Sequence, residues 1–151
     1  MSLPLQTNLS VYLADDDADD RLLFEEALFE VTGNVTLTVA KNGEQLMGIL
    51  QTKTPPPPQL IFLDLNMPLK NGFECLDEIR KNNNFKNIAV VIFSTSCQER
   101  TIDQVYNKGA DFYLCKPDNF GELKRCIDRV FSIYTGAFPN RLSRKNFLIS
   151  A

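Results

Sequence analysis

Four short apolar runs each stop on a polar residue: Leu9–Ala14 before Asp15, Leu60–Leu63 before Asp64, 88–93 before Ser94, and Phe112–Cys115 before Lys116. Runs this short and this apolar read as strands covered on both faces, as in a parallel sheet. A fifth segment alternates Val35, Leu37 and Val39 with Thr36 and Thr38, the pattern of a strand with one less buried face, at an edge. Between the strands the spacing turns helical. One helix starts near Ala18 with apolar positions at Leu22, Leu23, Leu28 and Phe29, and a second covers about 44–51. A third follows Asn71-Gly72 with Phe73, Leu76 and Ile79, and a fourth covers about 98–107 until Gly109. The last, capped by Asp118, carries the stripe Leu123, Cys126, Ile127, Val130, Phe131 and Tyr134. Pro55 to Pro58 form a stiff connector.

Five strands alternating with five helices predict an α/β fold, a doubly wound open parallel sheet with helices on both faces. In such sheets the ligand crevice lies beyond the carboxyl ends of the strands. That rule brings Asp15, Asp16, Asp64, Ser94 and Lys116 to one edge. Asp15, Asp16 and Asp17 stand in a row, and carboxylates so close disfavour one another's ionisation. A magnesium ion prefers hard oxygen ligands and relieves that repulsion, so Asp15, Asp16 and Asp64 are the expected ligands, with the Asn66 backbone carbonyl in reach. Asp64 is then a carboxylate nucleophile for phosphoryl transfer, and Lys116 and the Ser94 hydroxyl stabilise the transferring oxygens. Asp17 is the expected helix cap or a solvent-facing residue, and Asp19 and Asp20 read with it as acidic residues matched to the helix dipole.

At 151 residues the chain has the length of one domain. A net charge of −3 argues against direct nucleic-acid binding. No apolar stretch reaches membrane-spanning length and no secretion signal opens the chain, so no membrane role and a cytoplasmic setting are expected. Cys75, Cys97, Cys115 and Cys126 show no C-x-x-C spacing and are predicted to be reduced thiols. With no histidine anywhere, the chain has no imidazole for acid–base catalysis and cannot donate a phosphohistidine.

The segments "YLADDDADDR", "LIFLDLNMPLKNGFE", "VVIFSTS" and "GADFYLCKP" together resemble the receiver domains of two-component response regulators, in that family's order and separations over roughly 8–134. The resemblance implies a flavodoxin-like (βα)5 fold with strand order 2-1-3-4-5 and a receiver domain over 8–135. It further implies an acidic metal pair in Asp15 and Asp16, a phosphoacceptor in Asp64, a switch hydroxyl in Ser94, an invariant lysine in Lys116 and a switch aromatic in Tyr113. The expected function is a single-domain response regulator. A sensor histidine kinase or a histidine phosphotransfer protein would phosphorylate it with Mg2+, and it would signal by protein contact to a downstream protein. It would not be a dedicated enzyme, although it would lose its phosphoryl group by itself. The proline connector and "STS" are further points of likeness to regulators that serve phytochrome-type sensor kinases.

Three other functions compete. A flavodoxin-like cofactor binder needs a first loop that welcomes phosphate, and Asp15 to Asp17 repel one. An aspartate-dependent phosphohydrolase typically needs an acid two residues after its nucleophile, where this chain has Asn66. A non-switching pseudo-receiver scaffold has no use for the complete acid pair, acceptor and lysine. The extension 136–151 is too short for an output domain. Its mixture of Arg141, Arg144 and Lys145 with Phe138, Leu142, Phe147 and Leu148 reads either as a mobile terminus or as a segment that docks on a partner or a second copy, a homodimer.

Overall fold

Successive side chains of a strand point to opposite faces of its sheet, and that alternation divides the apolar residues of this chain into two cores. The computed structural model describes residues 8–52, 55–137 and 141–150. Its elements run β1 (Leu9–Ala14), α1 (Ala18–Val31), β2 (Val35–Ala40), α2 (Gly43–Leu50), β3 (Leu60–Leu63), α3 (Gly72–Lys81), β4 (Ala89–Ser94), α4 (Glu99–Asn107), β5 (Phe112–Cys115), α5 (Phe120–Ala137), α6 (Arg144–Phe147) and β6 (Leu148–Ile149). On one face, Val11, Leu13, Phe62, Val91 and Leu114 pack beneath Phe24 and Leu28 of α1 and Ile127, Val130 and Phe131 of α5. On the other, Tyr12, Ile61, Leu63, Val90, Ile92 and Tyr113 pack beneath α2, α3 and α4 through Leu46, Leu76, Ile79, Ile102 and Val105.

All strand pairs are parallel, and the order is β2-β1-β3-β4-β5-β6. The expected doubly wound order 2-1-3-4-5 is present, but the sheet has six strands rather than five. The sixth comes from the extension: Leu148 pairs with Tyr113 and Ile149 with Leu114. No periodicity argument finds a strand of two residues. The open edge of β5 supplies its hydrogen bonds, and Phe147, fully buried, supplies its anchor. Residues 141–150 therefore lie on the body of their own chain. Of the other tail residues, Phe138 falls outside the described residues.

Two further expectations are corrected. Leu22, Leu23 and Phe29 are exposed, because α1 carries apolar residues around most of its circumference and buries only the Phe24, Ala27 and Leu28 face. Asp118 does not cap α5. The Asn119 side chain accepts the Glu122 N–H at 2.8 Å, so the cap lies one residue later.

Two glycine positions shape the site end of the sheet. A Cβ on Gly72 would run into the Asp64 carbonyl and lie 2.8 Å from Leu65 Cα, so only glycine lets α3 start against the loop after β3. Gly109, at φ 102°, ends α4 where the pattern places its stop. Between β3 and α3, Leu69 has φ 69° at the centre of a turn closed by the Lys70 N–H on the Pro68 carbonyl at 2.7 Å.

Candidate functional site

The ladder hydrogen bonds continue one residue past the strand ends. The Asp15 N–H donates to the Ala40 carbonyl at 3.1 Å, the Asp64 N–H to Ala14 at 3.0 Å, and the Lys116 N–H to Ser94 at 2.8 Å. Each polar residue is thus held in register by the neighbouring strand, and the side chains converge at the carboxyl edge of the sheet. One carboxylate oxygen from each of Asp15, Asp16 and Asp64 falls within 4.8 Å of the others. Asp15 is fully buried, Asp64 nearly so, and Asp16 faces solvent. Buried carboxylates need partners, and each has them. The Asp15 side chain accepts the Asp17 N–H at 3.0 Å and the Lys116 ammonium at 2.8 Å. Asp64 faces Lys116 Nζ at 3.5 Å, with the Asn66 N–H at the same distance from its other oxygen.

Burial pushes the Asp64 carboxyl up from 3.8 to about 6, and the Asp15 charge adds to this. Lys116 and the Asn66 and Leu65 N–H groups pull it back. For Lys116, burial favours the neutral amine, but hydrogen bonds to Asp15 and Asp20 and the charge of Asp64 outweigh it and raise the pKa. The ammonium also lies 5.2 Å from the centre of the Phe93 ring.

The three carboxylates fit a divalent cation. They are hard, anionic, mutually close and open to water on the Asp16 side, as a site that keeps several waters on magnesium requires. The Asn66 main chain follows Asp64 into this loop, and its carbonyl remains the expected fourth donor.

Ser94, fully buried at the end of β4, accepts the Ser96 N–H on its hydroxyl at 3.1 Å. Tyr113 is fully buried, and its hydroxyl donates to the Ser96 carbonyl at 2.6 Å. The ring also meets Phe147 of the extension, with centroids 6.2 Å apart at 65°.

Asp17 is the α1 cap, accepting the Asp19 and Asp20 N–H groups at 2.9 and 3.0 Å. Asp20 does more than match the helix dipole. Its carboxylate takes a 2.8 Å bond from Lys116. Cys75 and Cys126 are buried thiols, as predicted, but Cys97 and Cys115 lie sulfur to sulfur as a disulfide, with Cα atoms 5.7 Å apart. Their sequence spacing hides this; the register that sets Ser94 opposite Cys115 brings them together.

Residues 11–128 match the family model for the response regulator receiver domain. The chain is 33% identical over 128 residues to response regulator Rcp1 of Synechocystis sp., covering 82% of this chain and 87% of that protein. The crystal structure of the Mn(2+)-bound form of Rcp1 superposes with a TM-score of 0.76 at 30% identity, over 89% of this chain and 99% of that one. That of the phosphorylated cyanobacterial phytochrome response regulator RcpA gives 0.78 at 28% identity, over 91% and 100%.

Proposed function

This chain belongs to the response regulator receiver domain family, and from that premise we propose that it is a phosphorylation-controlled signalling protein whose acceptor is Asp64. The observation that carries the reading is the approach of Asp15, Asp16 and Asp64 to within 4.8 Å, with the Lys116 ammonium 3.5 Å from Asp64. A magnesium ion held by Asp15, Asp16, Asp64 and the Asn66 carbonyl would neutralise charge on the phosphoryl oxygens. The side chains do the rest. An Asp64 oxygen attacks phosphorus as the bond to the donor breaks, and the donor leaves with that electron pair. Lys116 meets one phosphoryl oxygen and the Ser94 hydroxyl another. Asp64 needs no general base, because above about pH 6 it is ionised.

The donor in this reading is a sensor histidine kinase of the phytochrome type, or a histidine phosphotransfer protein. The name of the RcpA relative and its similarity to this chain support that choice. Exposed Leu22, Leu23 and Phe29 give α1 an apolar rim for the donor protein. The proposed setting is the cytoplasm; no described helix is long and apolar enough to cross a membrane. Output passes by contact to a downstream protein through the surface of α4, β5 and α5, after Ser94 turns to the phosphoryl group and releases the Ser96 N–H.

The test is mass spectrometry of protein incubated with acetyl phosphate and magnesium. One base-labile phosphate on Asp64, absent from Asp64→Asn, is expected. Stoichiometric uptake by Asp64→Asn overturns the assignment.

A further inference from the structure

An ammonium has three N–H donors and no acceptor. Lys116 directs its two short bonds, both 2.8 Å, to Asp15 and Asp20. Asp64 gets only an ion pair at 3.5 Å. The lysine on which phosphoryl transfer depends is thus held by a carboxylate that the transfer does not use. We propose that Asp20 is a positioning residue, which holds the Lys116 ammonium back from Asp64 in the resting chain and releases it when a phosphoryl group arrives. This rests on the phosphorylation of Asp64 proposed above.

The two short partners of Lys116 are not equivalent. Before magnesium binds, the Asp15 side chain, 0% exposed, would be left a buried carboxylate without a counter-charge if it released the lysine. The Asp20 side chain is 36% exposed, and water replaces the lost bond at little cost. Asp20 is therefore the partner that yields. Its position is also well defined. Asp17 caps α1 and accepts the Asp20 N–H at 3.0 Å, so the start of the helix fixes the backbone from which the carboxylate reaches Lys116. The reaction balances without Asp20 taking a proton: the new Asp64–phosphorus bond replaces the donor's bond, and the phosphoryl oxygens take over the ammonium that Asp20 gives up. Resting loading, and the rate at which the acceptor fills, are then set by competition between Asp20 and the incoming group for one cation.

The experiment measures initial rates of phosphorylation by acetyl phosphate with magnesium for wild type, Asp20→Asn and Asp20→Glu, with Asp20→Asn also made in a Lys116→Ala background. A crystal structure of metal-free Asp20→Asn accompanies the kinetics. Asp20→Asn should react about three- to tenfold faster, given one charge-assisted bond discounted for its exposure. Asp20→Glu, which keeps the carboxylate, should stay near wild type. In the Lys116→Ala background Asp20→Asn should change nothing. In the crystal, the ammonium should move to within about 3 Å of Asp64. An unchanged or slower Asp20→Asn overturns the proposal. So does equal acceleration without Lys116, which would mark a bulk charge effect, or an ammonium left where it was. If wild type takes up no phosphate, the proposed function fails, and the crystal structure alone decides the role of Asp20.

Discussion

The Tyr113 ring of β5 packs edge-on against the Phe147 ring of α6, with centroids 6.2 Å apart. Both side chains are fully buried, and Phe147 also meets Tyr106 of α4 at 5.0 Å. Arg144 adds ion pairs to Glu99 at 2.7 Å and Asp103 at 2.6 Å. The extension thus rests on the surface proposed for output and touches Tyr113, the aromatic that the family resemblance assigns to the switch.

Phe147→Ala should remove that contact and destabilise the chain by about 3 kcal/mol, as truncating a buried phenylalanine does. Urea unfolding gives the magnitude. Hydrogen exchange should show the Leu148 and Ile149 amides losing protection first. Full protection of those amides would mean that β6 holds without its anchor.

Asp64→Asn should stabilise the metal-free protein at neutral pH. The folded carboxyl holds its proton more tightly than the unfolded one, up to about 6 against 3.8. Its favourable contribution is complete below about pH 4 and is lost as pH rises through 6, where the buried charge must form. The asparagine variant carries no such charge. After allowance for screening at the open side of the site, its advantage should reach about 1–2 kcal/mol above pH 6.5 and vanish below pH 4. Thermal unfolding across that range checks the sign.

Asp16→Asn should lower magnesium affinity at least about tenfold while leaving the fold intact, since Asp16 is exposed and makes no core contact. Calorimetric titration reads the affinity, and circular dichroism the fold. An unchanged dissociation constant removes Asp16 from the metal site.

Ser94→Ala should still accept phosphate, within about threefold of the wild-type rate, but lose the response at α4. Amide chemical shifts with and without beryllofluoride are the measurement. Equal shifts at Glu99 to Asn107 in both proteins would take Ser94 out of the switch.

Gly72→Ala should cost about 1–3 kcal/mol and slow phosphorylation, because the added methyl displaces the Asp64 main chain rather than a flexible side chain. Denaturation midpoints and acetyl phosphate kinetics on one preparation test both effects.

Much of the site was legible because strand ends announce themselves. Asp15, Asp64, Ser94 and Lys116 each follow an apolar run, and a parallel sheet brings such positions to one edge. What stayed hidden depends on contacts between elements far apart in the chain. Lys116 and Asp20 are 96 residues apart, and no local pattern tells which of the aspartates at this edge a lysine will choose. The exposed Leu22, Leu23 and Phe29 escaped for the opposite reason. A helix apolar on most sides gives no direction, and only the sheet beneath decides which face it takes. Cys97 and Cys115 met through strand register, and β6 through an open edge that any short extended segment could have filled.

That filled edge bears on how the protein behaves at high concentration. Without Leu148 and Ile149, β5 would offer a row of unpaired backbone groups beside the apolar "FYLC", a template for another molecule's strand. With them in place, a stranger meets only two residues, followed by Ser150. The segment that lies on the output surface thus also guards the β5 edge against pairing with another molecule's strand, and a mutation that loosens it would first appear as turbidity.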